Sequence, residues 1–175
     1  MARQLRSDGA TLGEVFSFLS GLYFRGKLTY ARAFARPLGG SSGIAVITAG
    51  RGLISPDTIV RLDDLRAFAA VPIHAGEPRY REPLVRDAAA LAAELVPGGR
   101  VVLLGSIASD KYVEILQAAL GERLVFPQAF VGRGDMSRGG LLLRAVDAGE
   151  ELTYVPVTGS VRRGARPGKL PPRQT

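Results

Sequence analysis

The apolar run Val101-Val-Leu-Leu104 constrains this chain more than any other stretch. Pro97-Gly98-Gly99 closes the segment before it and Gly105 interrupts the segment after it, which leaves room for a short buried strand and none for a helix. Before this strand, Leu84, Val85, Ala88, Leu91, Ala92 and Leu95 recur at helical spacing behind Pro83, a residue suited to a first helical position. After it, Ser109 or Asp110 caps a helix with Lys111 and Tyr112 in its first turn and Val113, Leu116 and Leu120 on its inner face. Gly121 stops that helix, and Leu124-Val-Phe126 reads as the next strand. Strands separated by amphipathic helices are the unit of a parallel sheet, because a parallel pair needs a crossover connection long enough to return.

The remainder fits the same alternation. Thr11-Leu-Gly-Glu14 has the spacing of a capping box, and Leu12, Val15, Phe16, Leu19, Leu22 and Tyr23 give the first helix an apolar face. Arg25-Gly-Lys27 predicts a bend, after which Leu28, Ala31 and Phe34 continue as far as Pro37. Arg25, Lys27 and Tyr30 stand either as ligand contacts or as snorkelling side chains at that bend. Residues 38–43 form a loop, Ile44 to Ala49 a buried strand suited to a parallel sheet, and Gly50-Arg51-Gly52 a hinge. Ile59, Leu62, Leu65 and Phe68 mark a helix face from about Asp63, and Val71-Pro-Ile-His74 a short strand. A last helix follows along Leu141, Leu142, Ala145 and Val146, and Glu151 to Val155 closes the sheet. With 175 residues, 46% of them apolar, one core is expected. The fold expected is α/β: a single three-layer sandwich with a mostly parallel, Rossmann-like sheet over 9–158, a flexible N-terminus over 1–8, and a basic Gly/Pro/Arg-rich tail over 159–175.

Charge distribution narrows the partners. The net charge is +7, of which the tail from Arg162 onward supplies +5, whereas residues 9–161 hold 16 basic and 15 acidic residues. A basic tail on a neutral body either adds salt-sensitive, sequence-independent affinity for nucleic acid or keeps the protein soluble. No window approaches the roughly 20 apolar residues of a membrane span, and the N-terminus lacks the apolar stretch of a secretion signal, so a cytoplasmic protein with no membrane partner is expected. Without cysteine, and with His74 the only histidine, thiolate and clustered-histidine metal sites are excluded. No metal and no cofactor are expected.

In a doubly wound sheet the loops leaving the strand C-termini share one edge. Here they are Gly50 to Gly52, His74 to Glu82, Gly105 to Lys111 and Gly132 to Arg138. The last lies in Val131-Gly-Arg-Gly-Asp-Met-Ser-Arg-Gly-Gly140, whose glycines allow a positive φ and close backbone approach to a ligand. Asp135 caps a helix from Met136, whose first N–H groups would face an anion between the guanidinium groups of Arg133 and Arg138. The ligand-binding residues expected are Arg51, Ser106, Lys111, Gly132, Arg133, Gly134 and Arg138, with Asp135 and His74 for proton transfer. A phosphate-bearing small molecule or nucleotide suits them. The phosphate-binding Gly-x-x-x-x-Gly-Lys-Ser/Thr motif is absent, Leu104-Gly-Ser-Ile-Ala-Ser109 lacks the later glycines of a dinucleotide loop, and Ser106 has no Gly-x-Ser-x-Gly context. Three classes of function are left: an enzyme acting on a nucleotide or nucleic-acid component, a non-catalytic nucleic-acid binder using the tail, and a protein-interaction module.

Phe18-Leu-Ser-Gly-Leu-Tyr-Phe-Arg-Gly-Lys27, Gly105-Ser-Ile-Ala-Ser-Asp-Lys-Tyr112 and Gly132-Arg-Gly-Asp-Met-Ser-Arg-Gly139 resemble segments of an uncharacterised bacterial α/β protein family. Ile47-Thr-Ala-Gly-Arg-Gly-Leu-Ile-Ser-Pro56 is similar to the Ser-Ala-x-Tyr-Gly-Leu-x-x-Pro segment of YaaA-type peroxide-stress proteins through Ala49, Gly52, Leu53 and Pro56. Arg51 stands where that pattern has tyrosine, and the downstream Pro-Tyr pair is missing. The likeness implies an α/β fold with nucleic-acid association.

Overall fold

The computed structural model describes residues 1–36, 43–108, 110–168 and 170. Pro37 as a helix stop, the loop at 38–42, Ser109 as a cap, and Lys169 and 171–175 of the tail lie outside the described residues. The chain begins with helix α1 (Ala2–Arg6) and strand β1 (Ala10–Thr11), which leads directly into α2 (Leu12–Ser20). The capping box is formed: the Glu14 amide donates to Thr11 Oγ1 at 3.3 Å and the Thr11 amide to Glu14 Oε2 at 3.0 Å. Gly21, with φ of 58°, separates α2 from α3 (Leu22–Phe34). The expected bend at Arg25-Gly-Lys27 is therefore corrected, since those residues lie inside α3 and the break falls where the only positive φ of the region is.

The strands are short and do not join into one sheet. β2 (Val46–Thr48) and β3 (Gly52–Ile54) form an antiparallel hairpin, and β1 pairs antiparallel with β4 (Ile59–Val60). Among the described residues only β5 (Val101–Val102) and β6 (Leu124–Pro127) run parallel, and β7 (Tyr154–Pro156) adds antiparallel to β6. The single three-layer sandwich with a mostly parallel, Rossmann-like sheet is overturned by this pairing. At β2 the cause is local. Gly50 and Gly52 take φ of 85° and 67°, so the chain folds back at once and the strand's pairing capacity goes to its own hairpin. Val71 to His74, expected as a strand, is a turn in which the His74 amide donates to the Pro72 carbonyl.

Helix α4 (Leu62–Ala69) follows β4, and α5 (Pro78–Glu94) starts earlier than Pro83 suggested. The Glu77 side chain accepts from the Arg79 amide and Pro78 takes the first helical position, which leaves Pro83 inside the helix. The crossover between β5 and β6 carries α6 (Asp110–Leu120), and α7 (Asp135–Ala148) precedes β7. Two apolar clusters result. The larger lies between α3, α5, α6, α7 and the three-stranded sheet, around Leu84, Ile107, Val113, Leu124, Phe130 and Leu142. The smaller gathers Leu5, Leu12, Val15, Val46, Val60 and Phe68 at the N-terminal ladders.

Beyond β7 the described tail has no regular structure, yet it runs against the body. Arg162 lies 3.7 Å from Asp110, Arg163 donates to the Ala108 carbonyl at 3.4 Å, and Arg133 donates to the Gly168 carbonyl at 3.5 Å. Among the described residues no helix is long and apolar enough to cross a membrane.

Candidate functional site

Helices α3 and α7 pack along one another with small residues between them. Gly26 and Gly139 are both buried at the crossing, which brings Tyr23 and Lys27, one turn apart on α3, against Asp135 and Arg138 in the first turn of α7. Gly134 is the residue preceding α7, and Asp135, expected as its cap, is the first helical residue.

Arg138 is 6% exposed, which is unusual for an arginine. Its Nη1 is 3.7 Å from Asp135 Oδ1, its guanidinium lies 5.4 Å from the Phe130 ring centre, and its charge is within electrostatic reach of the Tyr23 hydroxyl. Its Nε has no hydrogen-bond partner among the described residues. Tyr23 in turn donates to the Leu104 carbonyl at 3.2 Å, and burial pushes its hydroxyl up to about 12. Lys27 Nζ sits 3.8 Å over the Tyr23 ring, and burial pulls its ammonium down to about 8; Asp135 opposes that effect and Arg138 adds to it.

The segment after β5 closes the same region. Tyr112 donates to the Ser106 carbonyl at 2.8 Å and lies against Gly105, where a Cβ would stand 2.7 Å from its hydroxyl. Burial raises Tyr112, and both Asp135 and Arg138 are within its electrostatic reach. Tyr80 of α5 lies within electrostatic reach of Tyr112; its buried hydroxyl has no hydrogen-bond partner among the described residues, and burial pushes it up to about 12. Two cations, Lys27 and Arg138, and two phenols, Tyr23 and Tyr112, thus stand around one carboxylate, with Tyr80 behind Tyr112. The side chain of that carboxylate is 65% exposed, so it neutralises Arg138 only weakly.

Several residues expected at the site lie elsewhere. Arg51 occupies the β2–β3 turn and pairs with Asp64 of α4 at 3.1 Å. His74 is exposed, and its Nδ1 accepts from the Gly76 amide at 3.0 Å. Lys111 is exposed on α6, while Ser106 meets the cluster through its carbonyl. Arg133 donates to the Ala129 carbonyl and to Ser137 Oγ, and a Cβ on Gly132 would collide with the Ala165 carbonyl, so Gly132 and Arg133 hold the tail. The shared loop edge that was to gather these residues depended on the parallel sheet and has no counterpart here. Of the three side chains named at the supposed bend, Lys27 reaches the cluster. Tyr30 is buried against Tyr154, and Arg25 lines a groove of about 450 Å³ between α2 and α3. Tyr23 and Tyr80 were not anticipated as polar groups; the spacing of Tyr23 and Lys27 on either side of Gly26 was the available signal.

No family model, no curated protein and no solved structure matches this chain.

Proposed function

We propose that the α3–α7 cluster binds the phosphate group of a small molecule, and that the protein is an enzyme acting on a nucleotide or a nucleic-acid component. The observation that carries this reading is the nearly buried Arg138, whose Nε lacks a partner beside a second cation, Lys27. Burying a charge without a full set of partners is costly, and a polyatomic anion would supply the missing acceptor and the missing charge together. The first turn of α7 adds N–H groups that have no acceptor within the helix, next to the same side chains. Tyr23 and Tyr112 donate their hydroxyls to the Leu104 and Ser106 carbonyls, which holds the segment after β5 against the same side chains.

The test is thermal unfolding with inorganic phosphate and a set of nucleotides and pentose phosphates. Ligand that binds only the folded chain raises Tm by mass action. Replacing a poorly paired buried cation by an apolar side chain leaves stability unchanged or raises it, so Arg138→Met should fold at least as well without phosphate and lose the phosphate-dependent rise. An Arg138→Met protein that keeps the wild-type rise would remove the site from consideration.

A further inference from the structure

Lys27 is one of three lysines in the chain, and its surroundings differ from those of exposed Lys111. Its amine stands over the Tyr23 ring, with the Arg138 cation and the Asp135 carboxylate of α7 within electrostatic reach. Gly26, its neighbour in sequence, is the contact point of the two helices, so the Lys27 backbone is held in register with Arg138. A lysine partly withdrawn from water beside a second cation gives up its proton more readily and becomes a nucleophile near neutral pH. Burial first, and then Arg138, act in that direction here, bringing the ammonium to about 8 against the pull of Asp135.

We propose that Lys27 forms an imine with a carbonyl ligand, and that the molecule taken by the site is a phosphorylated aldehyde or ketone, such as the ring-opened pentose phosphate that remains once a nucleotide has lost its base. The inference rests on the anion reading above: Arg138 takes the phosphate while the carbonyl meets Lys27. In the step, the Nζ lone pair forms a bond to the carbonyl carbon, the C=O π pair moves to oxygen, and a proton passes from nitrogen to that oxygen. The hydroxyl then takes up the remaining proton of the nitrogen and leaves as water, while the nitrogen lone pair completes the C=N bond. One carbonyl and one amine give one imine and one water, with no change of oxidation state. Asp135, the carboxylate facing both cations, is placed to carry the proton between nitrogen and oxygen.

The experiment treats the full chain with pyridoxal 5′-phosphate, a phosphorylated aldehyde, reduces it with borohydride, and maps the adduct by peptide mass spectrometry. Lys27 should be modified on the order of tenfold or more faster than exposed Lys111 at neutral pH, because its ammonium is lowered from 10.5 to about 8. Inorganic phosphate should suppress the adduct, and pyridoxal without phosphate should form less of it. Lys27→Arg keeps the charge and should lose the adduct; should that variant misfold, the wild-type distribution among the three lysines decides alone. Adducts on Lys111 and Lys169 with no preference for Lys27, in a protein that phosphate still stabilises, overturn the imine and leave the anion site standing. A Lys27 adduct that forms equally with pyridoxal and ignores phosphate overturns the phosphorylated ligand, and the anion reading with it.

Discussion

A Cβ placed on Gly26 would stand 2.7 Å from the carbonyl oxygen of Gly139, and one placed on Gly139 would stand 2.9 Å from that of Leu22. The backbones of α3 and α7 touch at this pair, and neither helix can yield by a side-chain rotation. The close approach sets how near Tyr23 and Lys27 come to Arg138.

Gly139→Ala is accordingly expected to destabilise the fold by about 1–3 kcal/mol, the range for overfilling a packed contact, which outweighs the gain in helix propensity of about 1 kcal/mol. Gly140→Ala, on the same helix, meets only the end of Arg144 and a methyl of Leu170, and should be neutral or stabilising. Urea unfolding of the two variants checks the contrast, and equal midpoints would mean that the crossing is not tight.

The lowered Lys27 ammonium makes stability depend on pH in a known direction. Unfolded, the amine returns to its ordinary value of 10.5; folded, it loses its proton near 8. Between these values the unfolded chain binds more protons, so stability rises with pH across that window and carries the full penalty below it. Relative to Lys27→Met, the wild type should gain stability between pH 8 and 10, as read by urea unfolding at each pH. A constant difference would show that Lys27 keeps an ordinary affinity for its proton.

Tyr30 ties α3 to the segment before β7. Its hydroxyl accepts from the Leu152 amide at 2.8 Å and shares a 2.6 Å hydrogen bond with the Tyr154 hydroxyl. Tyr30→Phe preserves the ring beside Phe34 and strands both partners, at a cost of about 1–3 kcal/mol. Guanidinium unfolding measures it; a neutral result would mean that water replaces the lost oxygen.

Much of the local structure was legible. The Thr11–Glu14 box, Leu84 and Ala88 on the inner face of α5, and the strand at Leu124 depend on contacts within a few residues and appear where their spacing placed them, whereas Val85, expected on the same face of α5, is exposed. Pro83 misled because two prolines offered a helix start, and the choice fell to Pro78, which Glu77 caps. The candidate site was legible in its parts, since Arg138, Asp135 and Lys27 were all singled out. Their grouping was not, because the chosen neighbours, Arg51 and His74, depended on strands sharing a sheet that the chain does not build.

By itself the sequence determined where the bodies of the helices from α2 onward would fall, that Gly121 would stop one of them, and that the tail would be basic, because each of these follows from backbone freedom, short-range periodicity or charge. Strand partnership was decided only in three dimensions: a two-residue strand pairs with whichever edge its flanking turns present, and periodicity does not name that edge. The same holds for the two arginines of one decapeptide. Arg133 reaches back to Ala129 and the tail, and Arg138 is buried against α3. Nothing local distinguishes them; packing against Gly26 does.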